Sequence, residues 1–328
     1  MPANPWIFAA LAAVTALAPA CDLGSLPAVP VTAGAPVRLL ILPEAGSSAV
    51  LDLLVGAQAS LWMDMYLLTD EDAIAALEGR ARAGCDVRVT LEPAPYQDEG
   101  ANQAAFDRLA AAGARARWAT PRYTYTHAKA FTVDHARLVV MTLNLTGAGL
   151  AGNREYVLVD DDPADVAAAE AVLAADQTGG QAGAAARVVT TPDACRPALT
   201  GHIEGAGSSL ALETEELTDP TVVAALIAAR GRGVGVTVVW PGPAAGAPSV
   251  FLSLAAAGID VRALDGPPVH AKAVSADGRT AYVGSANLTP TSLDHDRELG
   301  LALADPSVAA ALAATIAGDA ARGASPSP

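Results

Sequence analysis

One set of chemically capable residues is written twice in this chain. His127-x-Lys129-x4-Asp134 returns as His270-x-Lys272-x4-Asp277, Thr142-x-Asn144 as Ser285-x-Asn287, and Arg154-Glu155 as Arg297-Glu298. Every member is displaced by 143 residues, so the intervals of 17 from His to Asn and 28 from His to Glu are kept. The chain has 20 cationic side chains and only two are lysines, Lys129 and Lys272, one in each copy. Arginine serves the rest of the protein. At these two places a compact ammonium is used instead.

These residue types suit attack on a phosphodiester. An anionic diester repels an anionic nucleophile, and a neutral imidazole escapes that repulsion. Lysine ammoniums and asparagine amides can hold the equatorial oxygens and stabilise the charge that develops in the transition state. One histidine would attack phosphorus and form a phosphohistidine. The other would protonate the leaving alcohol, then activate water or an acceptor alcohol. A carboxylate is needed to fix each imidazole, and Glu155 and Glu298 are the candidates. This scheme needs no metal and no cofactor, and no C-x-x-C or H-E-x-x-H spacing is present.

Such groups act together only if the backbone aims them at one place. On a strand, residues i and i+2 share a face, so His-x-Lys projects an imidazole and an ammonium the same way. The apolar runs Leu138–Leu143 and Tyr282–Gly284 read as the next strands. Upstream, residues 38–95 repeat as 187–244 at a constant offset of 149, aligning Pro43 with Pro192, Thr69-Asp70 with Thr218-Asp219, and Gly84 with Gly233. Each copy runs strand (Leu39–Leu42; Val188–Val189), helix, strand (Leu61–Leu68; Leu210–Leu217), helix, glycine stop and strand (Val87–Leu91; Val236–Trp240). The second helices carry Ile74, Leu77 and Ala81, or Val223, Leu226 and Ala229, at helical spacing. Alternating strands and helices predict a layered α/β fold. The piece 175–186, rich in Gly, Ala and Gln, is read as the joint between the halves.

The ends and the composition bound the rest. Residues 1–20 carry no charged side chain, and Trp6–Ala20 is a nearly unbroken apolar run that is short for a membrane span and fits a signal peptide. Cys21 follows the small residues Ala18-Pro19-Ala20, which makes it a candidate lipidation site. The usual basic start is missing, and Ala18 stands where a lipoprotein signal has leucine. Export is the expectation, to the periplasm, the medium, or a membrane anchor through Cys21. Residues 21–36 form a tether, 37–178 the first repeat, 186–320 the second, and 321–328 a loose tail. Hydrophobic residues make up 52% of the chain, which excludes disorder, and three cysteines are too few for a disulfide-stapled miniprotein. A net charge of -15 argues against broad phosphate neutralisation on nucleic acid.

The doubled HxKxxxxD, followed by Gly284-Ser285-x-Asn287 in the second copy, resembles the phospholipase D superfamily. The resemblance runs from about Arg38 to about Ile316. It implies two pseudo-symmetric repeats, each a mixed β-sheet flanked by helices, packed around one shared active site, for which a monomer suffices. It implies that His127 and His270 act as nucleophile and general acid/base, with the first copy supplying the nucleophile. Lys129, Lys272, Asn144 and Asn287 would bind phosphate, with Thr142 and Ser285 beside them. Asp134 and Asp277 would be motif carboxylates supporting the site. Glu155 and Glu298 would orient the histidines across the repeat interface. The first copy departs from the pattern, with Met141-Thr142 in place of Gly-Ser, which is expected to narrow one side of the pocket.

Three functions are compatible with these residues. The leading expectation is hydrolysis or transfer of phospholipid headgroup esters at a membrane surface. A nuclease of the same superfamily would need a basic groove, for which Arg115, Arg117 and Arg122 are the local candidates. A silent binding protein would not need two intact motifs. A synthase joining two phospholipids would ordinarily carry membrane helices, and none is evident after residue 20. His135, His202 and His295 have no counterpart in the other copy and are assigned no chemistry. Glu213, Glu215 and Glu216, which replace Asp64, Tyr66 and Leu67, fit either the pocket entrance or a solvated edge.

Overall fold

The computed structural model describes residues 34–328; the signal segment, Cys21 and most of the tether lie outside the described residues. The first half runs β1 (Val37–Leu42), α1 (Ser48–Gly56), β2 (Ser60–Met65), α2 (Glu71–Arg82), β3 (Asp86–Leu91), α3 (Gln103–Ala111), β4 (Arg115–Trp118), β5 (Lys129–Val133), β6 (Arg137–Met141), β7 (Glu155–Asp160) and α4 (Pro163–Thr178). A π-helical turn at Ala148–Gly152 precedes β7. The second half runs β8 (Val188–Thr190), α5 (Cys195–Gly205), β9 (Ser209–Thr214), α6 (Pro220–Gly231), β10 (Gly235–Pro241), α7 (Ser249–Ala256), β11 (Asp260–Leu264), β12 (Lys272–Ala276), β13 (Thr280–Gly284), α8 (Pro290–Asp294), β14 (Leu299–Leu303) and α9 (Pro306–Arg322).

Each half builds one seven-stranded mixed sheet, ordered β1-β7-β6-β5-β2-β3-β4 and β8-β14-β13-β12-β9-β10-β11, so the duplicated sequence yields a duplicated topology. In both, the three strands linked by helical crossovers are parallel and the hairpin strands are antiparallel. The repeated Thr-Asp starts the second helix of each half. Asp70 accepts from the Ala73 amide, and Asp219 from Thr221 and Val222, satisfying donors that a helix start leaves open. Gly84 and Gly233 both take φ of +91°, a conformation that a side chain would oppose.

Helices α1–α3 cover the outer face of the first sheet and α5–α7 that of the second. Leu77 and Leu226, equivalent in the two copies, are fully buried there, each contributing roughly 1.5–3 kcal/mol. The buried stripe of α6 is anchored by Val222, while Val223 is only partly covered. The inner faces form a third core, in which Val140 and Leu158 join Val283 and Leu301 with side chains of α4 and α9. This face-to-face packing brings the two motif strands, β5 and β12, into one neighbourhood.

Three expectations need correction. The joint begins later than 175, because α4 continues to Thr178 and stops at Gly179 in the left-handed conformation. The tail is not loose: Ala324 exchanges backbone hydrogen bonds with Ala263 of edge strand β11, and the Ser327 amide donates to the Ala244 carbonyl. Met141 does not narrow the pocket, because it points into the outer core under α1–α3. The Gly/Met difference is a volume exchange. In the second half Tyr282 fills the outer face, and a Cβ on Gly284 would meet its hydroxyl at 2.5 Å. In the first half Val139 stands at the tyrosine position, and Met141 takes up the room. Cys85 and Cys195 are free and buried in different outer cores.

Candidate active site

The two halves are stitched together at the motif histidines. The His127 amide donates to the Arg297 carbonyl at 2.8 Å, and the Arg297 amide to Tyr125 at 2.8 Å. Symmetrically, the His270 amide donates to the Arg154 carbonyl at 3.2 Å, and the Arg154 amide to Pro268 at 2.8 Å. Each histidine is thus carried past the Arg-Glu pair of the opposite half. His127 Nδ1 lies 2.9 Å from Glu298 Oε1, and His270 Nδ1 lies 2.8 Å from Glu155 Oε1, the latter off the line of a straight hydrogen bond. Both Glu155 and Glu298 are inaccessible to solvent. Their crossing leaves Nε2 of each ring as the free nitrogen on the cavity side, apart from the Glu215 contact described below.

Hydroxyls hold these carboxylates. Thr142 Oγ1 donates to Glu155 Oε2 at 2.5 Å, and Ser292 Oγ donates to Glu298. Ser285 is tied to the first residue of β14, accepting from the Leu299 amide at 3.1 Å. Thr142 and Ser285, expected beside the phosphate, are fully buried and brace the strands that carry the carboxylates. Ser292, on the short helix α8, could not be found by repeat matching, since Gly149 stands at its place in the first copy.

Both lysines are buried, at 0% and 1% exposure. Each turns back on its own motif: Lys129 Nζ donates to the His127 carbonyl at 2.8 Å and Lys272 Nζ to the His270 carbonyl at 2.7 Å. Their surroundings differ. Lys129 stands 5.1 Å from the centre of the Tyr66 ring, against which His127 also packs edge-on at 4.4 Å. At the matching position the second half has Glu215, whose Oε2 accepts from Lys272 Nζ at 2.7 Å and lies 3.4 Å from His270 Nε2.

Burial, aided by nearby Lys272 and only partly opposed by Glu298, lowers Lys129 to about 7. Burial likewise pushes His127 down to about 4, with Lys129 adding to the shift and Glu298 opposing it. Glu215 goes the other way. Burial favours its neutral form, but Lys272 and His270 outweigh that and hold the carboxyl at about 2. Glu298 is also held below its ordinary value, because His127 and Lys129 together outweigh burial.

A cavity of about 720 Å³ opens over this group. His127, His270, Asn144 and Asn287 face it, with Tyr66, Tyr96, Tyr125, Glu215 and Glu216 on its walls, and no arginine lines it. The side-chain oxygens of Asn144 and Asn287 have no protein partner. Four of the expected polar types therefore converge: imidazole, ammonium, amide and orienting carboxylate.

Asp134 and Asp277 do not belong to this group, which corrects their assignment as site carboxylates. They lie past the far ends of β5 and β12, five residues from the lysines and so about 17 Å along the strand. Asp134 accepts from the amides of Gln58, Ala59 and Ser60, and Asp277 from those of Gly207, Ser208 and Ser209. Each closes the turn into the neighbouring strand, β2 or β9, at a positive φ of about 55°. Their motif spacing reflects strand length.

Among the unmatched residues, His135 and His295 are exposed, and His202 is buried with Nδ1 3.0 Å from Thr280 Oγ1. Glu213 is buried away from the cavity, where it accepts from the Tyr156 hydroxyl. Arg115 and Arg117 project from edge strand β4, and Arg122 donates to the Gly180 carbonyl, so the three form no groove at the site.

Residues 50–176 and 199–319 each match the family model described as cardiolipin synthase, PLD-like domain. The chain belongs to this PLD-like family, and through it to the phospholipase D superfamily, whose members act on phosphodiesters. Among solved structures it is similar to phosphatidylserine synthase from Haemophilus influenzae Rd KW20, with a TM-score of 0.69 and 12% identity over 89% of this chain and 87% of that one. It is also similar to polyphosphate kinase from Porphyromonas gingivalis, with a TM-score of 0.64 and 19% identity over 83% of this chain. It spans about half of that kinase, 48% of its length. At these identities the likeness is one of fold. No curated protein matches the sequence significantly.

Proposed function

We propose that the protein is a phospholipase D-type phosphodiesterase acting on phospholipid headgroup esters by hydrolysis or transfer. The observation that carries this reading is the crossed pairing of His127 with Glu298 and His270 with Glu155 beside two buried lysines at one cavity. His127 Nε2 attacks phosphorus, a nitrogen–phosphorus bond forms, and the bond to the leaving alcohol breaks as His270 passes its proton to that oxygen. Water or an acceptor alcohol then gives its proton to His270 and attacks phosphorus, which releases His127. Lys129, Lys272 and the two asparagines bind the non-bridging oxygens.

Burial favours the neutral form of His127, which suits a nucleophile. The missing arginine at the cavity counts against the nuclease alternative, because a polynucleotide brings further phosphates to neutralise. The apolar run before Cys21 supports export and an encounter with a membrane surface from outside. Mass spectrometry of the mature N-terminus tests Cys21, and an unmodified cysteine there removes the anchor.

The expected result is headgroup release from phosphatidylcholine or phosphatidylglycerol in the presence of EDTA, lost in His127→Ala and in His270→Ala. Unchanged release in both variants sinks the mechanism. Cleavage of single-stranded DNA without lipid hydrolysis would replace the lipase by the nuclease.

A further inference from the structure

Two carboxyl groups outside the cavity are buried without the donors that a buried charge requires. Asp64 of β2 is inaccessible to solvent, and neither of its oxygens has a hydrogen-bond partner. Glu213 of β9, its counterpart at the offset of 149, is equally inaccessible. Its Oε2 accepts from the Tyr156 hydroxyl, and its Oε1 has no partner. Burying an ionised carboxylate in this way is very costly, and such a group keeps its proton instead.

Each of the two faces a second carboxyl. Asp64 stands between Thr90 of β3 and Ala130 of β5 in the sheet. Gln177 Nε2 donates to Thr90 Oγ1 at 3.3 Å, which seats the last turn of α4 here and brings the Asp176 carboxyl against that of Asp64. In the second half α9 presents Asp319 to Glu213 in the same manner. Asp176 and Asp319 are the aspartates that receive the crossing guanidinium groups, Arg297 at 2.7 Å and Arg154 at 2.6 Å. A set of three therefore recurs, Asp64 with Asp176 and Arg297, and Glu213 with Asp319 and Arg154, the arginine coming each time from the opposite half. The same arginines lend the carbonyls that accept from the His127 and His270 amides.

The charges match this reading. Arg297 alone faces Asp64 and Asp176, while Arg154 and Arg322 face Glu213, Asp319 and Glu44. Each cluster has one carboxyl more than it has guanidinium groups, and one retained proton balances it. Burial, with the Asp176 charge adding and Thr90 and Arg297 opposing, pushes Asp64 well above its ordinary value. Burial likewise pushes Glu213 up to about 8, with Asp319 adding and Tyr156 and Arg154 opposing.

We propose that Asp64 and Glu213 are positioning residues that work as neutral acids: each donates its proton to the neighbouring aspartate, which holds the opposite half's arginine, whose carbonyl in turn holds the motif histidine. The role is independent of which phosphodiester is bound.

The test compares the full chain with Asp64→Asn and Glu213→Gln, in which an amide replaces the neutral acid and still donates. In the infrared spectrum at pH 6, the unaltered protein should show the carbonyl stretch of protonated carboxyl groups, and each substitution should remove part of it. The unfolded chain has both groups ionised above about pH 5, so the folded protein holds an extra proton at each and loses stability as pH rises. Relative to either amide variant, the urea unfolding constant of the parent should rise by up to about tenfold per pH unit between pH 5 and 7. Headgroup release separates positioning from packing: Asp64→Ala should lower kcat by roughly tenfold with KM little changed, and Asp64→Asn should restore it to within about threefold. The proposal is overturned by an unaltered protein without the protonated-carboxyl band, by a band that neither substitution touches, by a ratio of unfolding constants that does not change with pH, or by loss of the fold in both amide variants. Equal kcat in Asp64→Ala and Asp64→Asn overturns the positioning role. No headgroup release from the parent, with band and slope in place, overturns the phosphodiesterase reading and leaves the two retained protons standing.

Discussion

A lysine withdrawn from water holds its proton weakly, and Lys129 shows what that means for activity. With burial lowering Lys129 to about 7 and His127 to about 4, the proposed nucleophile is neutral and the proposed phosphate-binding ammonium charged only between those values. Because kcat/KM reports the free enzyme, it should rise through about pH 4, fall above about pH 7, and peak in mildly acidic solution; a profile flat from pH 6 to 9 would count against Lys129 as a phosphate ligand. The motif aspartates should behave differently. Asp277→Ala should lower the melting temperature while changing kcat less than about tenfold, against roughly 100-fold or more for His270→Ala. The Asp277 carboxyl is held below its ordinary value by the amides of Gly207, Ser208 and Ser209 with the Ser208 hydroxyl. Its stabilising contribution is therefore present above the unfolded value near 4 and fades as pH falls through the folded one, so Asp277→Ala should lose less stability between pH 4 and pH 2 than the parent does. The histidines, lysines, asparagines and glutamates were legible because two copies name the same positions. Glu215 was legible only as a departure from the repeat, fitting a pocket entrance or a solvated edge, and Ser292 not at all, because a contribution made by one half only leaves no matching partner to find.

Among the elements, the segments before β7 and β14 do the joining. Arg154 and Arg297 lend their carbonyls to the opposite histidine segments, and their guanidinium groups reach the long helices of the opposite half. Arg154 Nε pairs with Asp319 of α9 at 2.6 Å, and Arg297 Nε with Asp176 of α4 at 2.7 Å. Both arginines are about 2% exposed, and Asp319 keeps Arg322 as a second partner whereas Asp176 pairs with Arg297 alone, so removing Arg297 strands a largely buried carboxylate. Arg297→Ala should cost about 3–5 kcal/mol in urea unfolding, whereas Arg115→Ala, on an exposed pair, should cost under about 1 kcal/mol. Equal losses would mean that the crossing is ornamental. The Arg-Glu repeat was visible in the sequence, but its crossing was expected only for the glutamate, since spacing along a chain does not say which half a side chain enters. Strand and helix order was legible from periodicity, and the helix stops from glycine. The Met141/Gly284 exchange was not, because whether a residue faces the site or the outer core depends on which side of the sheet the strand presents.

At the scale of the molecule, an acidic body surrounds a small site in which positive charge is buried. The net charge of -15 predicts weak binding to single-stranded DNA, with affinity no better than micromolar at physiological salt by gel shift; nanomolar binding would reopen the nuclease. The C-terminal segment, read from its composition as a free end, instead pairs with β11 through Ala324. Polar composition alone does not reveal that a sheet edge is waiting to be covered. Truncation after Arg322 should uncover that edge and promote self-association, visible by light scattering, while leaving the cavity as it was. The duplication has one further consequence. Two identical subunits meeting on a two-fold axis would have to place the same residue on both sides of their cavity. Here one chain carries both halves, and each side has been free to change alone: a phenol beside His127, a carboxylate beside His270. The two imidazoles, alike in type, therefore stand in unlike surroundings.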